Sequence, residues 1–185
     1  MVKKLSTIGL WHLCWFSKPV CDRLLFKTIT RQKPQSILQI GIASSQQATQ
    51  VIAVSQRAAK TAAVKYTGID LFEGRPKAPR EMALKEVHKA LTGTEAKVRL
   101  IPGEAASTVA RMANQLTGID LLVISINKSR DALDSCWFYV PRMLHQYSLV
   151  MLQCDREHGA NFEILEFSDI ENLAKAVGKP TGKAA

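Results

Sequence analysis

"SILQIGIASSQQA", residues 36–48, is the stretch on which the fold turns. A short run suited to a buried strand meets Gly41, two serines follow, and a helix-period segment begins at once. This is the opening unit of a parallel α/β sheet. Downstream, apolar runs at Ile37–Ile40, Val64–Ile69, Val98–Ile101, Leu121–Ile124 and Leu149–Leu152 predict the parallel strands. Between them lie segments with apolar residues at helical spacing: Ala48, Val51, Ile52 and Ala59, then Leu84, Val87 and Leu91, then Val109, Met112, Ala113 and Leu116. Gly93 and Gly118 stand where helix C-caps are expected. Pro141 predicts that the helix before the last core strand bends or stops near Tyr139. "NFEILEF", residues 161–167, follows too soon for a crossover helix and predicts an antiparallel edge strand, with a closing helix over 169–177. The expected fold class is a doubly wound α/β domain with a mostly parallel sheet of order 3-2-1-4-5 and an antiparallel edge strand beside the fifth.

A chain of 185 residues with 46% hydrophobic residues has room for one domain with a full core. The expected organisation is a basic, aromatic helical cap over 1–35, the α/β domain over 36–178 and a basic tail over 179–185. Cys14, Cys21, Cys136 and Cys154 are scattered, which excludes a zinc motif or disulfide framework and suits reduced thiols in a cytoplasm. The N-terminus has lysines before an apolar run, but Trp11, His12 and Trp15 interrupt it and no small-residue cleavage site follows, so no signal peptide is expected. No stretch approaches the roughly 20 apolar residues that span a bilayer. The net charge of +9 is concentrated in residues 1–35, where seven basic side chains face Asp22 alone, a net of +6. With Trp11, Trp15, Phe16 and Phe26 interleaved, the segment suits nucleic acid, an anionic membrane surface or an acidic partner. The plainer reading is an amphipathic helix pair with its lysines outward.

"TGIDL" occurs at 67–71 and again at 117–121, without a wider repeat around it. The first copy ends a strand and the second begins one. In an open α/β sheet ligands gather at the carboxyl ends of strands, so Asp70 falls on the functional edge and Asp120 on the opposite one. The same edge collects Gly41 to Ser45, Glu73, Gly103, Glu104, Ser125, Asn127, Lys128 and Asp155. His88, His145 (near a helix end) and His158 show no acidic pairing in the sequence.

Over roughly residues 36–155 this order of strands and edge residues resembles the class I S-adenosylmethionine-dependent methyltransferases. The resemblance implies that "ILQIGIASS" binds the methionine part of that cofactor, with Gly41 at the first motif glycine and Ala43, Ser44 and Ser45 in the turn. It implies that Asp70, followed by Leu71, holds the ribose and that Glu104, after Gly103, faces the adenine amine. Gln39 and Ser45 depart from the family's acidic residue and later glycine. Ser44 is expected to cap the next helix, whose amides attract a carboxylate. "GIDLLVISINKSRD" is most similar to the metal-dependent small-molecule O-methyltransferases, with Lys128 at the catalytic lysine. There Ser125 replaces an aspartate metal ligand, and Asp155 is followed by Arg156 where Asn completes the metal site. A guanidinium at a ligand position repels a divalent cation, so no metal is expected. Lys128 and Asp155 are the candidate catalytic residues. The resulting expectation is a metal-independent S-adenosylmethionine-binding protein, a methyltransferase of unidentified acceptor. The alternative is a methyltransferase-like scaffold acting through its N-terminal segment. On the ribose reading, Asp70→Ala removes cofactor affinity at little cost in stability.

Overall fold

A computed structural model describes residues 5–76, 79–125, 136–156 and 159–177, with the backbone alone at 155, 156, 159 and 160. Two helices, α1 (Thr7–Phe16) and α2 (Cys21–Gln32), precede the sheet. Strands and helices then alternate: β1 (Ser36–Ile40), α3 (Ser45–Ala59), β2 (Lys65–Asp70), α4 (Leu84–Thr92), β3 (Lys97–Pro102), α5 (Ala105–Met112) and β4 (Ile119–Ile124). β5 (Leu144–Arg156), β6 (Gly159–Leu165) and α6 (Phe167–Val177) complete the chain. The sheet order is β3-β2-β1-β4-β5-β6, parallel except where β6 runs antiparallel to β5. This is the expected topology.

Both faces of the sheet are covered, which is why its central strands read as continuous apolar runs. Successive side chains alternate between two cores. Ile37, Leu121 and Val123 join Phe26, Ile29, Val51, Ile52 and Val87 on one side. Leu38, Ile40, Leu122 and Ile124 join Val109, Met112, Trp137, Met143 and Ile170 on the other. Central β1 pairs in register with both neighbours, placing Ile40 beside Ile69 and Ile124 at the carboxyl edge.

Four local expectations need correction. α5 stops at Met112 with Ala113 as its cap, and Leu116 packs from the turn that follows; Gly118, at φ +68°, serves the loop into β4. In α3 the last fully buried apolar residue is Val54, whereas Ala59 is only half-buried at the helix end. β5 begins at Leu144, earlier than its apolar run suggests, because its register against β4 shifts after Ile119. Ser148 closes that irregularity, donating from Oγ to the Ile119 carbonyl (2.7 Å) and accepting the His145 N–H (2.8 Å). His145 is therefore a strand residue. Finally, α2 is amphipathic and buries Leu25, Phe26 and Ile29, but α1 is apolar around its circumference and buries only Cys14. Ile8, Trp11, Trp15, Phe16 and Val20 are exposed, with the Lys27 ammonium 3.7 Å from the centre of the Trp15 ring. No helix among the described residues is long and apolar enough to cross a membrane.

Candidate functional site

The carboxyl edge is built around the turn after β1. Gly41 takes φ +80°, open to glycine without strain, and its N–H reaches the Ile69 carbonyl of β2 (2.9 Å). Ser44 caps α3 as expected, its hydroxyl accepting the Gln47 N–H (3.0 Å). Beneath the turn runs a buried polar chain. The Tyr66 hydroxyl donates to Gln39 Oε1 (2.8 Å), Gln39 Nε2 to Gln47 Oε1 (3.1 Å), and Gln47 Nε2 to Asp22 Oδ1 of α2 (2.7 Å). Burial and nearby Asp70 push the Tyr66 phenol up, so Tyr66 is a fixed donor. Above the chain opens a cavity of about 320 Å³ between the α1–α2 junction and the start of α3, lined by Phe16, Lys18, Asp22, Ala43, Ser44 and Gln47 among others. A volume near 300 Å³ is at the small end of ligand sites. A second cavity, about 490 Å³, lies between the C-terminal ends of α3 and α4, far from this edge.

Asp70 ends β2, as expected, but it does not stand open. Its carboxylate accepts the N–H groups of Ile42 (2.6 Å) and Phe72 (2.9 Å), then Arg75 Nε (2.6 Å) and Arg75 Nη2. A carboxylate has about four lone-pair positions, and four donors take them. Arg75 also donates to the Ile42 carbonyl (2.8 Å), which ties β2's end to the first turn. Removing Asp70 would therefore orphan buried amides and a guanidinium, and the expectation of a small stability cost for Asp70→Ala does not hold. Leu71 is half-exposed beside it.

Gly103, at φ +151°, follows β3, and a side chain there would meet Thr108 Oγ1 at 2.4 Å. Glu104 caps α5, its carboxylate accepting the N–H groups of Ala106 (3.0 Å) and Ser107 (2.8 Å). Partial burial works against its charge, yet these donors hold its carboxyl below the ordinary range. Burial and nearby Glu104 push the Cys136 thiol up to about 12. Ser125 donates its N–H to the Ile40 carbonyl (2.8 Å), while its buried hydroxyl has no hydrogen-bond partner among the described residues. Asn127 and Lys128 lie outside the described residues, as does the Asp155 side chain. Gly41 through Ser45, Asp70, Glu104 and Ser125 are thus brought to one edge. Glu73 turns instead to the start of α4, accepting the Leu84 N–H (2.9 Å), which lowers its carboxyl pKa.

No protein-family model matches the sequence, and no curated protein matches it. Solved structures do match its architecture. The chain is similar to a TDP-rhamnose 3'-O-methyltransferase of calicheamicin biosynthesis, with TM-score 0.53 and 16% identity over 95% of this chain and 88% of that one. The fold is that of the class I methyltransferases. An O-methyltransferase from Bacillus cereus in complex with SAH superimposes with TM-score 0.55 at 11% identity, covering 74% of this chain and 57% of that one. For a SAM-dependent methyltransferase from Agrobacterium tumefaciens the values are 0.51 and 13%, over 85% and 50%. This chain thus spans only about half of the longer two.

Two residues central to the site, Asp22 and Arg75, were not among the expected ones. Asp22 had a readable signal: it is the lone acid of a basic segment and shares a helix face with Leu25, Phe26 and Ile29. Arg75 had none, because a loop arginine carries no spacing that says which way it turns.

Proposed function

We propose that the chain binds S-adenosylmethionine at the carboxyl edge of its sheet and is a metal-independent methyltransferase whose acceptor is unassigned. The observation that carries this reading is the cavity at the first turn, which joins a capped helix N-terminus to a buried carboxylate. The methyltransferase architecture supports it. Where the cofactor binds, its sulfonium supplies an electrophilic methyl group. Gly41, Ala43, Ser44 and Ser45 shape the turn against its amino-acid end, and Asp70 with Leu71 lies at the ribose end. Gly103, Glu104 and Ser125 border the base, and Lys128 and Asp155 orient the acceptor. The residues fit the amino-acid end better than the ribose end, since ribose hydroxyls reach Asp70 only when Arg75 leaves it. Cys14, Cys21 and Cys136 are buried thiols outside any disulfide, which supports a cytoplasmic setting.

A second reading, a catalytically inactive scaffold, is favoured by the saturation of Asp70. Its working surface is then α1, where exposed Trp11, Trp15 and Phe16 beside Lys18 and Lys27 suit an anionic membrane surface: the rings enter the headgroup region and the ammoniums meet lipid charge. The test is calorimetric titration of the native protein and of Arg75→Ala with S-adenosylmethionine and S-adenosylhomocysteine. Saturable binding, tighter in Arg75→Ala, is expected. No binding to either folded protein, together with partition onto phosphatidylserine vesicles but not neutral ones, would select the scaffold; retention on RNA or DNA at low salt would replace the membrane with nucleic acid.

A further inference from the structure

Asp22 is buried because it stands on the face that α2 turns to the core, with Leu25, Phe26 and Ile29, a place where a carboxylate is costly. It sits in the first turn of that helix, which has no side-chain cap, and its carboxylate turns away from the helix amides toward the cavity. Oδ1 accepts from Gln47 Nε2, and the Cys21 thiol lies 3.9 Å from the same oxygen. No cation pairs with it among the described residues. Burial therefore pushes its carboxyl up, opposed only in part by the Gln47 and Cys21 hydrogen bonds. A buried carboxylate without a counter-charge costs stability, and a cationic group entering the cavity would relieve that cost.

The polar chain beneath the turn explains how the charge came to lie here. Each donor from Tyr66 through Gln39 and Gln47 points the same way, toward Asp22. Gln39 is neutral and fully buried, with its amide committed to Gln47 and to the Gly41 carbonyl (3.3 Å). The site's negative charge thus resides not in β1 but on α2, at the far end of the chain of amides. The cavity is also lined by the N-terminus of the 15-residue α3, with exposed Gln46 in its first turn, where an anion is favoured. One cavity therefore offers a buried anion and a positive helix end.

We propose that Asp22 is the anionic anchor of this cavity and recognises the ammonium of a ligand's zwitterionic α-amino-acid end, whose carboxylate is drawn to the start of α3. For the whole ligand the inference rests on the cofactor reading, but its chemistry is that of any free α-amino acid of suitable side chain. Asp22→Asn retains the shape and the acceptor for Gln47 while removing the charge. The experiment is titration of the full chain, native and Asp22→Asn, with L-methionine, with 4-(methylthio)butanoate, which lacks only the ammonium, and with S-adenosylhomocysteine, alongside unfolding midpoints of both proteins. The native protein is expected to bind methionine about tenfold more tightly than the deamino analogue. In Asp22→Asn that preference should vanish and S-adenosylhomocysteine should weaken by about the same factor. Equal native affinity for methionine and its analogue overturns the anchor without reference to any variant, as does a preference undiminished in Asp22→Asn. Methionine binding without S-adenosylhomocysteine binding would leave the anchor standing and sink the cofactor reading; S-adenosylhomocysteine binding untouched by Asp22→Asn would do the reverse. A native protein that binds none of the three overturns both.

Discussion

The pentapeptide TGIDL is used twice, and its two aspartates do different work because they sit at opposite edges of one sheet. Asp70 ends β2 and Asp120 is the second residue of β4. The Asp70 side chain is 1% exposed and holds a guanidinium and two loop amides. That of Asp120 is 34% exposed; its Oδ2 accepts the N–H groups of Gln35 (2.7 Å) and Ser36 (2.9 Å), and its Oδ1 lies 2.9 Å from His145 Nε2. Both tie a loop to the sheet. Only the first does so in a place where an unpaired charge is costly, so the energetics of the two copies should differ several-fold although their sequences are identical.

The largest expected effect is that of Asp70→Ala. It strands the Ile42 and Phe72 amides and leaves Arg75 without its carboxylate, and breaking a buried pair by removing one partner costs about 3–5 kcal/mol. Urea unfolding of the variant should show that loss. A change below about 1 kcal/mol would mean that the pair is not formed in solution and that Asp70 is open to a ligand. Arg75→Ala should cost about 3 kcal/mol, the lower end of the same range, because the arginine is partly exposed and water replaces some of what Asp70 loses. This variant also decides between the two readings of the site, since it uncovers the position at which a ribose would sit.

Asp120→Ala should cost less, about 1–2 kcal/mol, because the amides it leaves behind lie near the surface and water can satisfy them. If it proved as damaging as Asp70→Ala, the contrast drawn from burial would fail.

The placement of both aspartates was legible in the sequence, for a physical reason. Strands covered on both faces carry unbroken apolar runs, and where a polar residue interrupts such a run, before or after it, shows which edge it occupies. The turn after β1 was legible too, since Gly41 and the Ser44 cap are local devices. What the aspartates pair with was not. Arg75 is five residues beyond Asp70, in a loop whose direction no periodicity encodes. His145 was hidden because "HQY" breaks the alternation of β5, and its strand character depends on the Ser148 hydroxyl bridging back to Ile119. The candidates at 127 and 128 belong to a polar stretch whose pattern specifies no position for either side chain. α1 misled in the opposite direction: an apolar helix beside a core normally buries its large side chains, and here only Cys14 is buried and Leu10 and Leu13 partly so, while Ile8, Trp11, Trp15 and Phe16 stay exposed.

The smallest expected effect belongs to His145, and it gives the sharpest test of the comparison. Its Nδ1 accepts the Tyr147 N–H (3.2 Å), so the ring proton is on Nε2 and is donated to Asp120. The pair is then a hydrogen bond between half-exposed groups, needing no charge on the ring. Exposed pairs of this kind contribute about 0.5 kcal/mol. A double-mutant cycle of Asp120→Ala with His145→Ala should therefore return a coupling under about 1 kcal/mol, whereas the cycle of Asp70→Ala with Arg75→Ala should return one several times larger. Equal couplings would show that edge and burial do not set the strength of these contacts. Unequal ones would show that the same five residues acquire a structural clamp at one edge and a minor tether at the other, solely from where the sheet places them.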